Sequence, residues 1–288
     1  MTNLVYLNGE YLPQAEAKIS IFDRGFLFGD SVYEVIPFYN GVGFRLEEHL
    51  ARLRRGLEAV RIRAEEDWEQ ICQTLVTRNG GGHQAVYLQV TRGADTHRVH
   101  AYRPDLKPTV LLFSYPICMA LSGDPETIEG IRAVTTEDIR WQRCDIKATT
   151  LLGNIMALQQ ATDTGADEAL MVRDGFLTEG SACNLFVIEQ GRIATPARDH
   201  RILGGTTRDL LLELAAENGI PWTEEPIAEA RLARADEVWI SSSTKGVLPV
   251  LTINGCAVGS GDKGPLWYRM AGLFKAFEKT VFGLEPNA

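Results

Sequence analysis

The chain is short of cysteine and of basic residues and has no long apolar run, and each shortage closes off a class of function. Its five cysteines, Cys72, Cys118, Cys144, Cys183 and Cys256, are odd in number, far apart and without a Cys-x-x-Cys pair. That spacing excludes a disulfide framework or a zinc knuckle and suits a reducing cytoplasm. With 29 Lys and Arg against 38 Asp and Glu the net charge is −9. Binding to phosphate backbones needs clustered cations, so nucleic acid is not an expected partner. No stretch approaches the roughly 20 apolar residues that cross a bilayer, and Leu4-Val5-Tyr6-Leu7 stands near the start without a basic-then-apolar leader, so a cytosolic protein with no membrane partner is expected. No Gly-x-Ser-x-Gly elbow, His-Glu-x-x-His pair or Gly-x-Gly-x-x-Gly fingerprint is read in the sequence, which sets aside the common hydrolase, zinc-protease and dinucleotide readings. His49 has no partner at metal-ligand spacing and is read as structural, so no metal is expected.

What is present is an ordinary globular composition: 288 residues, 45% hydrophobic and 23% charged, enough for two domains with their own cores. Residues 3 to 12 alternate around Asn8-Gly9, and Val35 to Phe38 leads into Asn40-Gly41, both hairpin signals. Leu46, Leu50, Leu53, Leu57 and Val60 recur at helical spacing and leave Arg52, Arg54, Arg55 and Arg61 mostly on other faces. A second helix is expected over Asp67 to Arg78, then buried strands over Ala85 to Thr91 and Thr109 to Tyr115. Around Ser122-Gly123-Asp124-Pro125 periodicity is lost, which places a boundary near residue 121 between domains 1–120 and 121–288. Beyond it, strands at Ile131 to Thr135, Ala169 to Arg173, Leu185 to Ile188 and Val238 to Ile240 alternate with helices near 150–164 and 207–218, ended by Gly165 and Gly219. A closing helix is expected over Trp267 to Phe277. The reading is α+β for the smaller N-terminal domain and α/β for the larger C-terminal one.

Lys147 and Glu179 stand out by their proximity in the chain. A lysine amine can hold an aldehyde cofactor such as pyridoxal phosphate, and a carboxylate beside the pyridine nitrogen keeps the ring electron-withdrawing. Taken singly, either residue reads equally as solvated surface. Ile202-Leu203-Gly204-Gly205-Thr206-Thr207 precedes a helix, where free backbone N–H groups and hydroxyls suit a phosphate, or where a threonine simply caps the helix. Ser241-Ser242-Ser243-Thr244 follows a strand and is either a second group of donors or a polar turn. Arg98 and His100 would project the same way from an extended segment and could hold a carboxylate, or could belong to a basic surface loop. Lys245 is the one other lysine worth testing against an aldehyde.

Five ordered blocks give these residues a common meaning: Asp23-Arg24-Gly25-Phe26-Leu27-Phe28-Gly29-Asp30-Ser31-Val32-Tyr33-Glu34-Val35, Glu48-His49-Leu50-Ala51-Arg52-Leu53, Val90-Thr91-Arg92-Gly93, Asp138 through Lys147, and Thr178 through Asn184. In that order they resemble the fold type IV pyridoxal-phosphate enzymes nearly end to end, and within them those that transaminate D-amino acids. The resemblance implies a two-domain fold with the cofactor, pyridoxal 5'-phosphate, at the domain interface. It implies Lys147 as the Schiff-base lysine and proton carrier, Glu179 beside the ring nitrogen, Leu203 behind the ring, and Arg52, Thr206, Thr207 and Ser243 on the phosphate. Tyr33, Arg98 and His100 would trap the substrate carboxylate, the last two from a neighbouring subunit, so a homodimer with shared active sites is implied. The activity implied is ping-pong transfer of an amino group from a D-amino acid such as D-alanine to 2-oxoglutarate. Alternatives are a branched-chain L-amino acid or (R)-amine transaminase, an aminodeoxychorismate lyase, and a non-catalytic binding protein. Two departures from the family wording are noted: one extra residue between Gly93 and Arg98, with His97 beside the arginine, and Ala148-Thr149-Thr150 after the lysine.

Overall fold

The computed structural model describes residues 3–118 and 125–283. The chain forms two compact units, Met1–Cys118 with Ile146–Thr150, and Met119–Asp145 with Leu151–Ala288. The expected boundary near residue 121 falls outside the described residues. Lys147, expected in the C-terminal domain, lies instead with the first unit. The reason is local pairing: Ala148 bridges Val32, and Tyr33 N donates to Lys147 O at 2.9 Å.

The first unit runs β1 (Leu4–Leu7), β2 (Glu10–Pro13), α1 (Arg24–Phe28), β3 (Ser31–Tyr39), β4 (Val42–Gly43), α2 (Leu46–Ala59), α3 (Trp68–Arg78), β5 (Gln84–Thr91) and β6 (Thr109–Pro116). Its strands pair antiparallel in the order β2-β1-β6-β5-β3-β4. Both expected hairpins form, with Asn8 and Gly9 at φ 51° and 100° and Asn40 and Gly41 at 50° and 79°, the left-handed pair that a two-residue turn between twisted strands requires. Leu50, Leu53 and Leu57 of α2 pack with Ile36, Val86 and Leu88 of the sheet in one core that also takes in Ile146 and Ala148. The buried face of α2 is wider than the leucine stripe, because His49 and Arg52 are buried too. The expectation that Arg52 points away from the core is therefore corrected. A carboxylate from β3, Glu34, meets it there and makes burial of the charge tolerable.

The second unit runs β7 (Ile131–Glu137), α4 (Leu152–Asp163), β8 (Glu168–Arg173), β9 (Phe176–Gly180), β10 (Asn184–Glu189), β11 (Arg192–Thr195), α5 (Thr206–Glu217), β12 (Trp222–Glu224), β13 (Ile227–Ala228), β14 (Glu237–Ser242), β15 (Gly246–Ile253), β16 (Cys256–Ala257) and α6 (Pro265–Phe282). The sheet order is β12-β11-β10-β14-β15-β7-β8-β9-β13, with β16 on β15. β7 and β8 are parallel and joined across α4, while β8 to β9, β10 to β11 and β14 to β15 are antiparallel. Gly165 and Gly219 follow the last turns of α4 and α5 at φ 80° and 66°, as expected of a left-handed cap. The closing helix is longer than expected, because Pro265 starts it and Gly283, at φ 61°, ends it.

One reading needs correction at this point. The letters Gly-x-Gly-x-x-Gly do occur, at Gly259-Ser260-Gly261-Asp262-Lys263-Gly264. They follow the short antiparallel strand β16 rather than a parallel βαβ strand. The helix N-terminus they lead to is already filled: the carboxylate of Glu237 accepts from Leu266 N and Trp267 N at 2.9 and 2.8 Å. An internal carboxylate satisfies the donors that a dinucleotide phosphate would need.

Candidate active site

Alternation along β3 places two neighbouring residues on opposite faces. Tyr33 faces Lys147, whose Nζ lies 4.2 Å from the centre of the tyrosine ring. Tyr33 in turn stacks on Tyr87, and Tyr87 on Phe113. The lysine's backbone is held as an extra strand: Thr149 N donates to Ser31 O at 3.2 Å, and the Thr149 hydroxyl pairs with Ser31 Oγ. Ala148-Thr149-Thr150 thus fix the lysine against β3. Gly29 must be glycine there, since a Cβ would come within 2.7 Å of Thr150 Cγ2.

On the other face Glu34 is fully buried and accepts from Arg52 Nε and Nη2, each at 2.7 Å, and shares a 2.7 Å bond with His49 Nδ1. Burial works against the Glu34 charge, but the Arg52 guanidinium overcomes it and holds the carboxyl below its usual range. Burial lowers the His49 pKa, so the ring is neutral and donates to Glu34 through a hydrogen bond rather than an ion pair. The arrangement fixes the plane of the Arg52 guanidinium and supports the reading of His49 as structural.

Arg98 and His100 lie in the irregular segment after β5. Both pack on Phe28, the last residue of α1: the Arg98 guanidinium is 5.2 Å from the ring centre and the His100 ring 5.4 Å. Both side chains are exposed, and the segment carrying them is irregular rather than extended. Buried Arg24 holds the segment by donating to Val99 O and His100 O at 2.7 and 2.8 Å, while its Nε meets Asp30 at 2.8 Å. Arg92 grips the same carboxylate. The loop's neck is closed at Gly93, φ 100°, where a Cβ would collide with Lys107 O. Arg24 and Phe28 carry no assigned role in the sequence. An arginine directly after Asp23 becomes a signal only once Asp23 is known to cap α1.

In the second unit Glu179 sits on β9, which periodicity does not reveal, and is 5% exposed. Its Oε1 accepts from Arg140 Nη1 at 2.5 Å, and its Oε2 from Leu203 N and Asn184 Nδ2 at 3.1 and 3.2 Å. Burial pushes the carboxyl up to about 6, against the pull of Arg140. Arg140 also bonds both oxygens of Asp138 at 2.9 Å, so the arginine is shared and cannot neutralise Glu179 alone. Arg140 and Asn184 have no assigned role in the sequence, although each lies in a quoted block.

Leu203, Thr206, Thr207 and Ser243 come together around Glu179 and the start of α5. Asn184 Nδ2 donates to Leu203 O at 2.8 Å, and Thr206 Oγ1 lies 3.2 Å from Ser243 Oγ. Gly205 precedes the helix without a side-chain cap, and a Cβ there would strike Asn184 Oδ1. The hydroxyl of Thr207 is buried and has no hydrogen-bond partner among the described residues. The contrast with α6, whose N-terminus Glu237 fills, is direct. An uncapped helix start lined by hydroxyls, one of them buried and unpartnered, fits the phosphate of pyridoxal phosphate. Lys245 is exposed in the turn between β14 and β15, without the packing that positions Lys147.

Residues 31–253 match the amino-transferase class IV family. The chain belongs to that family. It is 41% identical over 265 residues to a D-alanine aminotransferase of Bacillus licheniformis, covering 91% of this chain and 92% of the relative. To a D-alanine aminotransferase of Staphylococcus epidermidis it is 36% identical over 281 residues, with 96% and 97% covered. Among solved structures it is similar to a branched-chain amino acid aminotransferase from T.th. with pyridoxamine 5'-phosphate, at a TM-score of 0.89, 27% identity and coverage of 99% and 96%. The class IV assignment accounts for an N-terminal α+β unit followed by a mixed-sheet unit, as the resemblance implied. Among the described residues, no helix is long and apolar enough to cross a membrane.

Proposed function

We infer that this class IV aminotransferase is a pyridoxal-phosphate-dependent D-amino acid transaminase, passing the amino group of a donor such as D-alanine to 2-oxoglutarate in two half-reactions. The observation that carries the D-amino acid reading is the convergence of Arg98 and His100 on Phe28, with Arg24 anchoring the carbonyls beside them. A guanidinium and an imidazole packed on one ring would give an α-carboxylate two donors. Where the carboxylate is held decides which hydrogen of the α-carbon faces the base. The relatives named D-alanine aminotransferase support the same substrate class.

When bound, the cofactor supplies an electron-withdrawing ring that stabilises negative charge at the substrate α-carbon. The protein does the rest. Lys147 Nζ would hold the cofactor and then, once freed by the incoming amine, take the α-proton as general base and return it as general acid. Glu179 would keep the ring nitrogen protonated, its Oε1 retaining a lone pair beyond the Arg140 bond. Thr206, Thr207, Ser243 and Arg52 would hold the phosphate, and Leu203 would back the ring. Tyr33 would line the carboxylate side near Lys147.

A homodimer with shared sites and a cytoplasmic setting complete the proposal. Leu152, Ile155 and Met156 expose one apolar face of α4, at 71%, 61% and 52%, the kind of surface that a second subunit covers. Five cysteines without a disulfide suit a reducing compartment.

The deciding experiment has two arms. Reduction of the purified holoenzyme with borohydride should fix pyridoxyl mass on the peptide containing Lys147, and Lys147→Ala should lose both that mass and all but a trace of turnover. A donor panel with 2-oxoglutarate should show D-alanine turned over and L-leucine not. Label on Lys245 would move the site, and preferred use of L-leucine would make the enzyme a branched-chain transaminase.

A further inference from the structure

Within the first unit a cavity of about 220 Å³ opens between the segment after α2 and the stems of the loop that follows β5, and four arginines line it: Arg61, Arg63, Arg92 and Arg103. In a chain of net charge −9, gathering four like charges around one hollow costs energy unless something negative offsets it. The protein offsets only part. Arg92 is buried and held by Asp30 at 2.8 Å. Arg103 reaches Asp95 and Asp105 only at 3.5 and 3.8 Å and is half exposed. Among the described residues, neither Arg61 nor Arg63 makes a side-chain ion pair, and both are exposed.

The scaffold holding these charges is firmly built. Arg92 donates to Val60 O and Arg61 O at 2.7 and 3.1 Å, tying the end of α2 to the root of the loop. Its guanidinium lies 3.7 Å from the centre of the Tyr102 ring, which covers one side of it. Arg61 adopts φ 57°, an uncommon conformation for a residue with a Cβ. Leu106 supplies an apolar wall. The cavity is smaller than the roughly 300–1,000 Å³ of pockets for drug-sized ligands, so it suits a compact ion rather than a whole nucleotide.

We propose that this hollow is a binding site for a compact multivalent oxyanion, of the size and charge of pyrophosphate or a small polycarboxylate. Guanidinium forks match such oxygens in two-point contacts. The ion would bridge Arg61 and Arg63, on the segment after α2, to Arg103 on the loop, supplying the negative charge that Asp30, Asp95 and Asp105 do not. The site stands on its own residues and is independent of the transaminase reading.

The test uses the holoenzyme, whose cofactor blocks the phosphate site at α5, and titrates inorganic pyrophosphate and, separately, citrate at constant ionic strength by calorimetry. Saturable binding of either ion should weaken by about tenfold in Arg61→Gln and in Arg63→Gln, the loss expected for one charged contact of roughly 1.4 kcal/mol. Arg55→Gln, an exposed arginine of α2 outside the cavity, should leave it unchanged. Folding of each variant is checked by its cofactor content and basal turnover. Which ion binds more tightly assigns the phosphate or the carboxylate class. No saturable binding of either ion up to about 10 mM, a standard free energy weaker than roughly −3 kcal/mol, would overturn the proposal, as would equal weakening in all three variants.

Discussion

At the scale of single residues, Glu179 shows how burial sets a charge against a neighbouring cation. Its pKa is pushed up by burial to about 6, against the pull of Arg140 and the Leu203 N–H, with the charge of Asp138 adding a small upward push. Burial also works against Asp138, whose hydrogen bonds from Arg140 nevertheless leave it lowered. Asp138 therefore keeps its charge where Glu179 begins to lose it. The ionised form of Glu179 is the one that would pair with a protonated ring nitrogen in the proposed site. Cofactor affinity should hold steady above pH 6 and fall as the carboxyl takes up a proton below it, by up to about tenfold per pH unit. Fluorescence titration of the apoenzyme with pyridoxal phosphate between pH 4.5 and 8 measures this. In Glu179→Gln the fall should vanish and affinity should be low throughout. A wild-type fall that persists in the variant would assign it to another group.

At the scale of elements, α6 carries a buried carboxyl. Glu278 is 1% exposed, and among the described residues neither of its oxygens has a hydrogen-bond partner. Burial pushes its pKa up to about 7, with Lys275 pulling weakly the other way. An acid whose pKa is raised on folding costs nothing below its unfolded value near 4.5, where both states keep the proton. Between about 4.5 and 7 the unfolded chain releases the proton and the folded one does not, so stability declines with rising pH and then levels off. The shift corresponds to about 3 kcal/mol. Glu278→Met should melt several degrees higher than wild type at pH 8 and show little difference at pH 4.5. Parallel melting curves for both proteins across this range would contradict the account. Elements of this kind are mostly legible beforehand. The leucine stripe of α2, the hairpins at Asn8-Gly9 and Asn40-Gly41, and the glycines after α4 and α5 all carry their signals within a few residues. What stays hidden is set by distant partners. β9 shows no helical or alternating signature because it is buried almost throughout. The burial of Arg52 depends on Glu34, eighteen positions away in sequence. Lys147 joins the first unit through backbone pairing that no side-chain pattern announces. The order of five blocks singles out Tyr33, Arg52, Lys147 and Glu179 as candidates, while Arg140, Asn184 and Arg24 act through hydrogen bonds that only the fold reveals.

At the scale of the whole molecule, the arrangement of subunits decides whether one chain can complete an active site. If Arg98 and His100 serve the neighbouring subunit, Lys147 and the carboxylate trap of any one site come from different chains, and two crippled chains can repair one another. Arg98→Ala alone should chiefly raise KM for substrates with a carboxylate, because it removes a ground-state contact, and Lys147→Ala alone should be inactive. Mixed, unfolded together and refolded, the two variants should pair at random. Half of the dimers would then be mixed, and in each mixed dimer one of two sites would combine an intact lysine with an intact trap. Turnover at low D-alanine should recover to about a quarter of wild type, with the wild-type KM. Mixing without refolding should give no recovery while the dimers stay intact. If Arg98 instead serves its own chain, every site in every mixed dimer lacks one group, and refolding together should yield no more than the sum of the separate variants. Ile155→Glu on the apolar face of α4 extends the same argument: a charge placed in a buried seam should shift sedimentation toward monomer and remove the recovery with it, whereas an unchanged dimer would put the seam elsewhere.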